Sequence, residues 1–265
     1  MSTSIDIIQC IDAFAPFDTQ WSFDNSGFLV GRREQEVTKL LVALDITREV
    51  VAEAARWGAE LIVAHHPVIF DPVKQITDAT PVGQILLELI ENKIAAICTH
   101  TNLDAALGGV NDCLAEALEL TEIGQLQQAG VDAQGRPYGI GRVGTVHRPG
   151  LSAREYAAFV KEKLGSACVR VVSGGKPVQK VAVGGGACGS MLEDVVAQGC
   201  DTFVTADVKY DQFLEAKALG LNLLDAGHFS TENVVCAPMV RWLSEEFPGV
   251  DVRLSEVHRE IYSAI

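Results

Sequence analysis

Paired thiol motifs are missing from this 265-residue chain, because its seven cysteines are scattered and no two of them form a C-x-x-C pair. An odd number of widely spaced cysteines predicts neither a disulfide framework nor a thiolate zinc site. Basic residues are also few, with 21 Lys and Arg against 35 Asp and Glu. Since nucleic-acid affinity comes mainly from Lys and Arg, this balance argues against a nucleic-acid partner.

Long apolar runs are absent as well. None approaches the roughly 20 residues that a membrane-spanning helix needs. The polar start MSTSIDIIQC lacks the charged segment and apolar core of a signal peptide. We therefore expect a cytoplasmic protein with no membrane partner.

The missing G-x-S-x-G elbow also argues against a serine-nucleophile hydrolase.

Short runs rich in Val, Ile and Leu alternate with segments of helical period, which predicts an α/β fold with mainly parallel sheets. The clearest unit is KLLVAL (39–44), a helix over 48–57 ended by Gly58, and ELIVA (60–64). Further predicted elements are a helix near 82–92, a strand in KIAAIC (93–98) and a helix at 111–120. Residues 121–150, rich in Gly, Gln and Pro, predict a connecting region with a hairpin or edge strands.

The second half of the chain repeats the first. Residues 39–68 align without a gap with residues 180–209, so that Lys39 meets Lys180 and Gly58 meets Gly199. Two generic βαβ units that align by chance are the alternative. A true repeat predicts two similar lobes, 1–125 and 126–265, each a three-layer-like α/β arrangement. In open α/β sheets ligands bind outside the carboxyl ends of strands, so we expect a site in the crevice between the lobes.

Histidine and carboxylate side chains follow predicted strands in both lobes. Such loops are where α/β folds place function. Imidazole and carboxylate ligands without thiolate suit Zn, Mn, Fe, Co or Ni. The candidate metal ligands are His65, His66, Asp104, His228 and Glu232.

Two local patterns strengthen this hypothesis. His65 and His66 would point to opposite faces of a continuing strand, but Pro67 predicts that the strand ends there and that the rings address neighbouring ions. His228 and Glu232 are spaced i, i+4, which places both on one face of a helix. Glu232 would then bridge ions about 3.5 to 4 Å apart.

Each residue taken singly also has a structural interpretation. A lone histidine at a strand end is commonly a hydrogen-bonded residue, and Asp104 also fits a helix-entry cap. His100 is a candidate for orienting a ligand or shuttling a proton, or is a buried imidazole bonded to backbone. Asp45, at the end of the first strand, is either a helix cap with Thr47, which the sequence favours, or an acid that supports a metal ligand.

A glycine pattern offers a different function. The predicted strand KVAV runs into Gly184, Gly186 and Gly189 in the spacing G-x-G-x-x-G, which is typical of a dinucleotide-binding module. Three clustered glycines in a chain that has 24 also fit close packing. A third interpretation is a helix entry that holds an anionic part of the substrate of the metal site.

Several motifs in the same order resemble the Nif-three-like dinuclear metal-centre family, also known as GTP cyclohydrolase I type 2 proteins. The resemblance covers almost the whole chain, in the short form without an inserted domain. The segments that carry it are FDNSGFLVG (23–31), LDIT (44–47), AHHPVIF (64–70), THTNLDAALGGVND (99–112), GGGACG (184–189), TADVKYDQ (205–212) and DAGHFSTE (225–232).

This resemblance implies the same five ligands and two divalent ions per chain. It further implies a toroidal homohexamer and a hydrolase-like site for a small-molecule substrate, a nucleotide or a phosphoester. A non-enzymatic ring for metal binding or delivery stays open as an alternative, because a strong ligand set need not catalyse a reaction.

Overall fold

The computed structural model describes residues 2–265. Its strands are, in chain order, β1 (Gly27–Val30), β2 (Lys39–Ala43), β3 (Leu61–Ala64), β4 (Ala95–Cys98), β5 (Leu120–Gln125), β6 (Gly130–Val131), β7 (Pro137–Tyr138), β8 (Arg142–Val146), β9 (Arg170–Val172), β10 (Lys180–Val183), β11 (Thr202–Thr205), β12 (Asn222–Asp225) and β13 (Asp251–Leu254).

The helices alternate with these strands. They are α1 (Ser4–Phe14), α2 (Arg48–Trp57), α3 (Pro81–Glu91), α4 (Thr101–Ala105), α5 (Val110–Ala117), α6 (Ala153–Leu164), α7 (Leu192–Ala197), α8 (Tyr210–Leu219), α9 (His228–Glu232) and α10 (Cys236–Glu246). Single 3-10 turns cover Phe17–Thr19, Gly189–Met191 and Asn233–Val235. No helix within residues 2–265 is long and apolar enough to cross a membrane.

The chain forms two compact units. Unit 1 contains residues 2–103 and Cys236–Arg259, and unit 2 contains Asp104–Val235 and Glu260–Ile265. These units divide the chain differently from the expected domains 1–125 and 126–265, since α5 and β5 lie in unit 2 and α10 and β13 lie in unit 1.

Unit 1 is built on a five-stranded sheet in the order β1-β4-β3-β2-β13. β2, β3, β4 and β13 are mutually parallel, and β1 is antiparallel to β4. α2 and α3 pack on one face of the sheet, and α10 packs against β2 and β13. α1 joins α10 through Phe14 and Trp242, whose ring centroids are 4.7 Å apart. This confirms the expected layered α/β arrangement.

Helix α2 shows why the predicted boundaries hold. The Thr47 side chain accepts a hydrogen bond from the backbone N–H of Val50, which caps the first turn. Gly58 ends the helix in the left-handed conformation at φ 76°, which a residue without Cβ adopts at little cost.

Unit 2 is built on a six-stranded sheet in the order β5-β8-β10-β11-β12-β9. β10, β11 and β12 are parallel, whereas β8 and β9 are antiparallel to their neighbours. One apolar cluster includes Phe203 and Leu192, and a second includes Val204 and Tyr156. Because Phe203 and Val204 are consecutive in β11, these clusters lie on opposite faces of the sheet.

The connecting region differs from its prediction. The expected hairpin is present as β6 and β7, but β8 is an interior strand between β5 and β10. The internal repeat is seen in the element positions, because β10 and β11 begin 141 residues after β2 and β3.

Candidate metal centre

The histidines of unit 1 lie at the carboxyl edge of its parallel strands. Ala64 ends β3 and pairs with Cys98 at the end of β4, so His65, His66 and His100 follow neighbouring strand ends. The strand therefore ends before Pro67, as the sequence predicts. A ring nitrogen from each of these three histidines lies within 4.8 Å of the others.

The same nitrogen is engaged in every one of these rings. Nδ1 of His65 lies 2.9 Å from the carbonyl oxygen of Thr99, Nδ1 of His66 lies 2.7 Å from Oδ1 of Asp45, and Nδ1 of His100 lies 2.8 Å from Oδ1 of Asp24. Such partners fix the tautomer and orientation of metal-binding imidazoles. Nε2 is consequently the atom that each ring can offer to an ion or to a proton.

Asp45 has a different role from the one the sequence favours. Thr47 alone provides the side-chain cap of α2, and the Asp45 carboxylate accepts from His66 instead. The reason is positional, because Asp45 leaves β2 at the edge where His66 leaves the adjacent β3.

Asp24 is a residue of the candidate site that the sequence did not single out. Its buried carboxylate accepts from His100, from the backbone N–H and hydroxyl of Thr101, and from the Ser26 hydroxyl. Burial alone would raise the pKa of Asp24, but the hydrogen bonds from His100 and Thr101 hold it well below its usual range. No local pattern in the sequence links Asp24 to His100, because 76 residues separate them.

Unit 2 contains a second group of candidate ligands. His228 begins α9 and Glu232 follows one turn later, with Nε2 of His228 3.0 Å from Oε2 of Glu232. Nδ1 of His228 lies 2.7 Å from Oδ2 of Asp207, which follows β11. The helical spacing predicted from the sequence is therefore present, and Nε2 of His228 faces the Glu232 carboxylate.

The Asp104 carboxylate lies close to the Glu232 carboxylate in unit 2. Oxygens of these two side chains lie within 4.8 Å of each other, and the residues are 8% and 3% exposed. Two buried carboxylates at this distance repel each other unless a cation or proton compensates their charge. A divalent ion supplies that compensation, so this pair fits a metal site.

The glycine-rich loop makes room for this carboxylate. A side-chain carbon at Gly186 would lie 2.1 Å from Oε1 of Glu232 and 3.2 Å from Nε2 of His228. The backbone N–H groups of Gly184, Gly185 and Gly186 donate to Val204, Asn111 and Thr231, respectively. These amides are therefore used within the protein, and the glycines provide close approach to Glu232.

Comparisons with known proteins identify the family. The model of the Duf34/NIF3 (NGG1p interacting factor 3) family matches residues 2–261. The chain belongs to this family. It is 37% identical over 228 residues to a protein of Clostridium perfringens (strain 13 / Type A) named GTP cyclohydrolase 1 type 2 homolog, with 86% of each chain covered. A Streptomyces coelicolor protein of the same name is 39% identical over 231 residues, covering 86% of this chain and 80% of that one.

Two solved structures share the fold. A hypothetical protein of Staphylococcus aureus matches with a TM-score of 0.92 and 31% identity over 99% of both chains. HcgD of Methanocaldococcus jannaschii in its reduced form matches with a TM-score of 0.80 and 30% identity, covering 96% of this chain and 98% of that one.

The candidate residues of this NIF3-family chain thus form two groups, each within one unit. Unit 1 brings together His65, His66 and His100, and unit 2 brings together Asp104, His228 and Glu232. Asp104, which was expected in the first lobe, falls in unit 2 because the division passes through α4.

The donor atoms of both groups suit a divalent metal ion. Imidazole nitrogens and carboxylate oxygens are ligands for Zn, Mn, Fe, Co and Ni. Hydrogen bonds at Nδ1 hold the imidazoles in place before any ion binds. The space left by the missing side chain of Gly186 admits the Glu232 carboxylate. The residues present therefore fit a bound metal.

Proposed function

We propose that this NIF3-family chain binds two divalent metal ions and uses them to hydrolyse a nucleotide or another phosphoester. The observation that carries the proposal is the buried pair of Asp104 and Glu232 carboxylates beside His228. That both ligand groups serve one dinuclear centre is part of the proposal. Its five ligands are His65, His66, Asp104, His228 and Glu232.

Carboxylate partners orient the ligands. Asp45 on His66 and Asp207 on His228 hold each imidazole with Nε2 available and increase its basicity. When bound, a pair of divalent ions supplies Lewis acidity that activates water near neutral pH and polarises the bond under attack. Glu232, which lies against Gly186 and 3.0 Å from Nε2 of His228, would be one of the residues that hold the metal.

His100 is proposed as the proton acceptor. Asp24 accepts from Nδ1 of His100 and so keeps Nε2 of the neutral ring ready to take a proton. The ionised Asp24 carboxylate then stabilises the imidazolium that forms. The hydrogen bonds that Asp24 accepts from the Ser26 and Thr101 hydroxyls therefore hold the carboxylate that supports the His100 ring.

The test is a hydrolysis panel of nucleotides and phosphoesters with the chain loaded separately with each candidate metal. GTP is the first nucleotide to test, given the name of the curated relatives. His100→Ala is expected to keep its metal and to lose turnover about 10²- to 10⁴-fold. His147→Ala is the control, since His147 is an exposed residue at the end of β8.

Two outcomes contradict this proposal. Full metal loading without hydrolysis of any substrate would refute the hydrolase and favour a metal-binding or metal-delivery role. Equal losses in His100→Ala and His147→Ala would remove the role of His100.

The homohexamer stays a prediction from the family resemblance. Sedimentation velocity on the metal-loaded chain tests it directly. A mass near six times 28.4 kDa is expected, and a monomer would contradict it.

A further inference from the structure

Three exposed aromatic side chains form a continuous patch in unit 1. Trp21, Phe23 and Phe70, here called the aromatic patch, are 43%, 57% and 46% exposed. The ring centroids of Trp21 and Phe23 are 5.7 Å apart, and those of Phe23 and Phe70 are 6.5 Å apart. Exposed aromatic rings in contact with one another commonly mark a binding surface.

The aromatic patch continues into the histidine group. The ring of Phe70 meets that of His100 edge-on at 6.2 Å, and the His100 ring lies 5.1 Å from His65 and 5.5 Å from His66. A molecule that reaches these histidines in unit 1 therefore has the aromatic patch directly beside it.

Hydrogen bonds hold the backbone that carries these rings. The backbone N–H of Trp21 donates to the Thr101 hydroxyl at 3.0 Å. The Asn25 side-chain amide donates to the carbonyl oxygen of Ile69 at 2.6 Å, which ties the segment of Phe23 to that of Phe70. Rings on a fixed backbone lose little conformational freedom when a ligand binds.

The chemistry of the patch selects its ligand. Its side chains offer π faces and one indole N–H but no charge. Flat heteroaromatic rings gain most from such a surface, because stacking is favourable for every base and does not depend on its hydrogen-bonding edge. An aliphatic alcohol phosphate would gain far less.

We propose that the aromatic patch of Trp21, Phe23 and Phe70 is a subsite that stacks the base of a nucleotide substrate beside His100. This inference rests on the proposed function and narrows its substrate class from phosphoesters in general to nucleotides. Trp21, Phe23 and Phe70 are thus specificity-determining residues and not metal ligands.

Calorimetric titration of the metal-loaded chain tests this subsite with two probes, guanosine monophosphate and ribose 5-phosphate. The wild type is expected to bind the nucleotide at least tenfold more tightly. Phe23→Ala and Phe70→Ala should each weaken nucleotide binding about fivefold to a hundredfold and leave ribose 5-phosphate binding unchanged.

Two further variants serve as controls. Phe23→Leu keeps apolar bulk but removes the π face, so it should behave like Phe23→Ala. Ile90→Ala truncates a residue that is 53% exposed on α3 in the same unit and should bind both probes like the wild type. Melting temperatures and metal content report whether the variants fold.

Several results would overturn the subsite. The first is that the wild type binds both probes with equal affinity. The second is that Phe23→Ala and Phe70→Ala bind the nucleotide as tightly as the wild type. The third is a change of oligomeric state in those variants, which would assign the patch to a contact between copies of the chain. If the variants show no loss of nucleotide binding but the chain still hydrolyses phosphoesters, the subsite is refuted and the proposed function stands. Patch-dependent nucleotide binding without any hydrolysis supports the subsite and refutes the hydrolase.

Discussion

Gly186 and Glu232 approach each other so closely that a side-chain carbon at position 186 would lie 2.1 Å from Oε1 of the carboxylate. Real Cβ contacts do not occur at that distance, so residue 186 must be glycine if Glu232 keeps its position. The glycine-rich loop thereby sets the space available to the candidate metal ligand Glu232.

Gly186→Ala is expected to displace Glu232 and to reduce metal affinity at least tenfold. The matched control is Gly199→Ala, because Gly199 has a similar φ, +70° against +64°, but nothing within 4 Å of an added Cβ. Both variants carry backbone strain of about 1 kcal/mol or more, and only the first obstructs Glu232. Competition with a fluorescent chelator measures the two affinities, and equal values would disprove the link.

The carboxylate partners of the histidines should tune metal binding. Asp45→Asn and Asp207→Asn keep the shape of the side chain but remove its charge from Nδ1 of His66 and His228. Each is expected to weaken metal affinity about 10- to 100-fold. Asp251→Asn, which changes an exposed carboxylate paired with Arg253, is the control. Wild-type affinity in both test variants would show that these partners do not support the ligands.

Arg142 should contribute strongly to the stability of unit 2. Its buried guanidinium donates to both oxygens of Asp112 and to the carbonyl oxygens of Ala106, Gly139 and Gly141. Arg142→Met leaves these acceptors without their donor and is expected to lower the free energy of unfolding by about 3 to 5 kcal/mol.

The comparison for Arg142 is Arg48→Met, which removes a surface ion pair with Glu88 and should change stability by less than about 1 kcal/mol. Urea denaturation measures both variants. A loss in Arg142→Met no larger than that in Arg48→Met would contradict the role of this buried arginine.

Thiol reactivity should separate buried from exposed cysteines. Burial raises the pKa of the Cys98 thiol to about 12, so at pH 8 it stays protonated and unreactive. Cys168 is exposed. Iodoacetamide at pH 8 should therefore modify Cys168 in the native protein and Cys98 only after denaturation, as peptide mass spectrometry can show. Equal native labelling would indicate that the strand end at Cys98 opens readily.

Much of the architecture could be predicted from sequence, because the signals were local. The unit β2-α2-β3 follows from two apolar runs, a Thr47 cap and the stop at Gly58. The i, i+4 spacing of His228 and Glu232 likewise needed only helical geometry.

The remaining features depended on contacts between distant positions. β8 begins with Arg142, whose charge is compatible with an interior strand only because Asp112 pairs with it from 30 residues away. Asp24 supports His100 across 76 residues, which no local pattern reveals. The return of Cys236–Arg259 to unit 1 has the same origin, since β13 pairs with β2 at the other end of the chain.

Metal content is the most direct test of the central claim, that the histidine and carboxylate groups of the two units bind divalent ions. Elemental analysis should be made on protein purified without added metal, and on His66→Ala and Glu232→Ala, with His147→Ala as the control. We expect close to two ions per chain in the wild type and the control, and a marked loss in the two ligand variants. Metal content that is unchanged in His66→Ala and Glu232→Ala would contradict it.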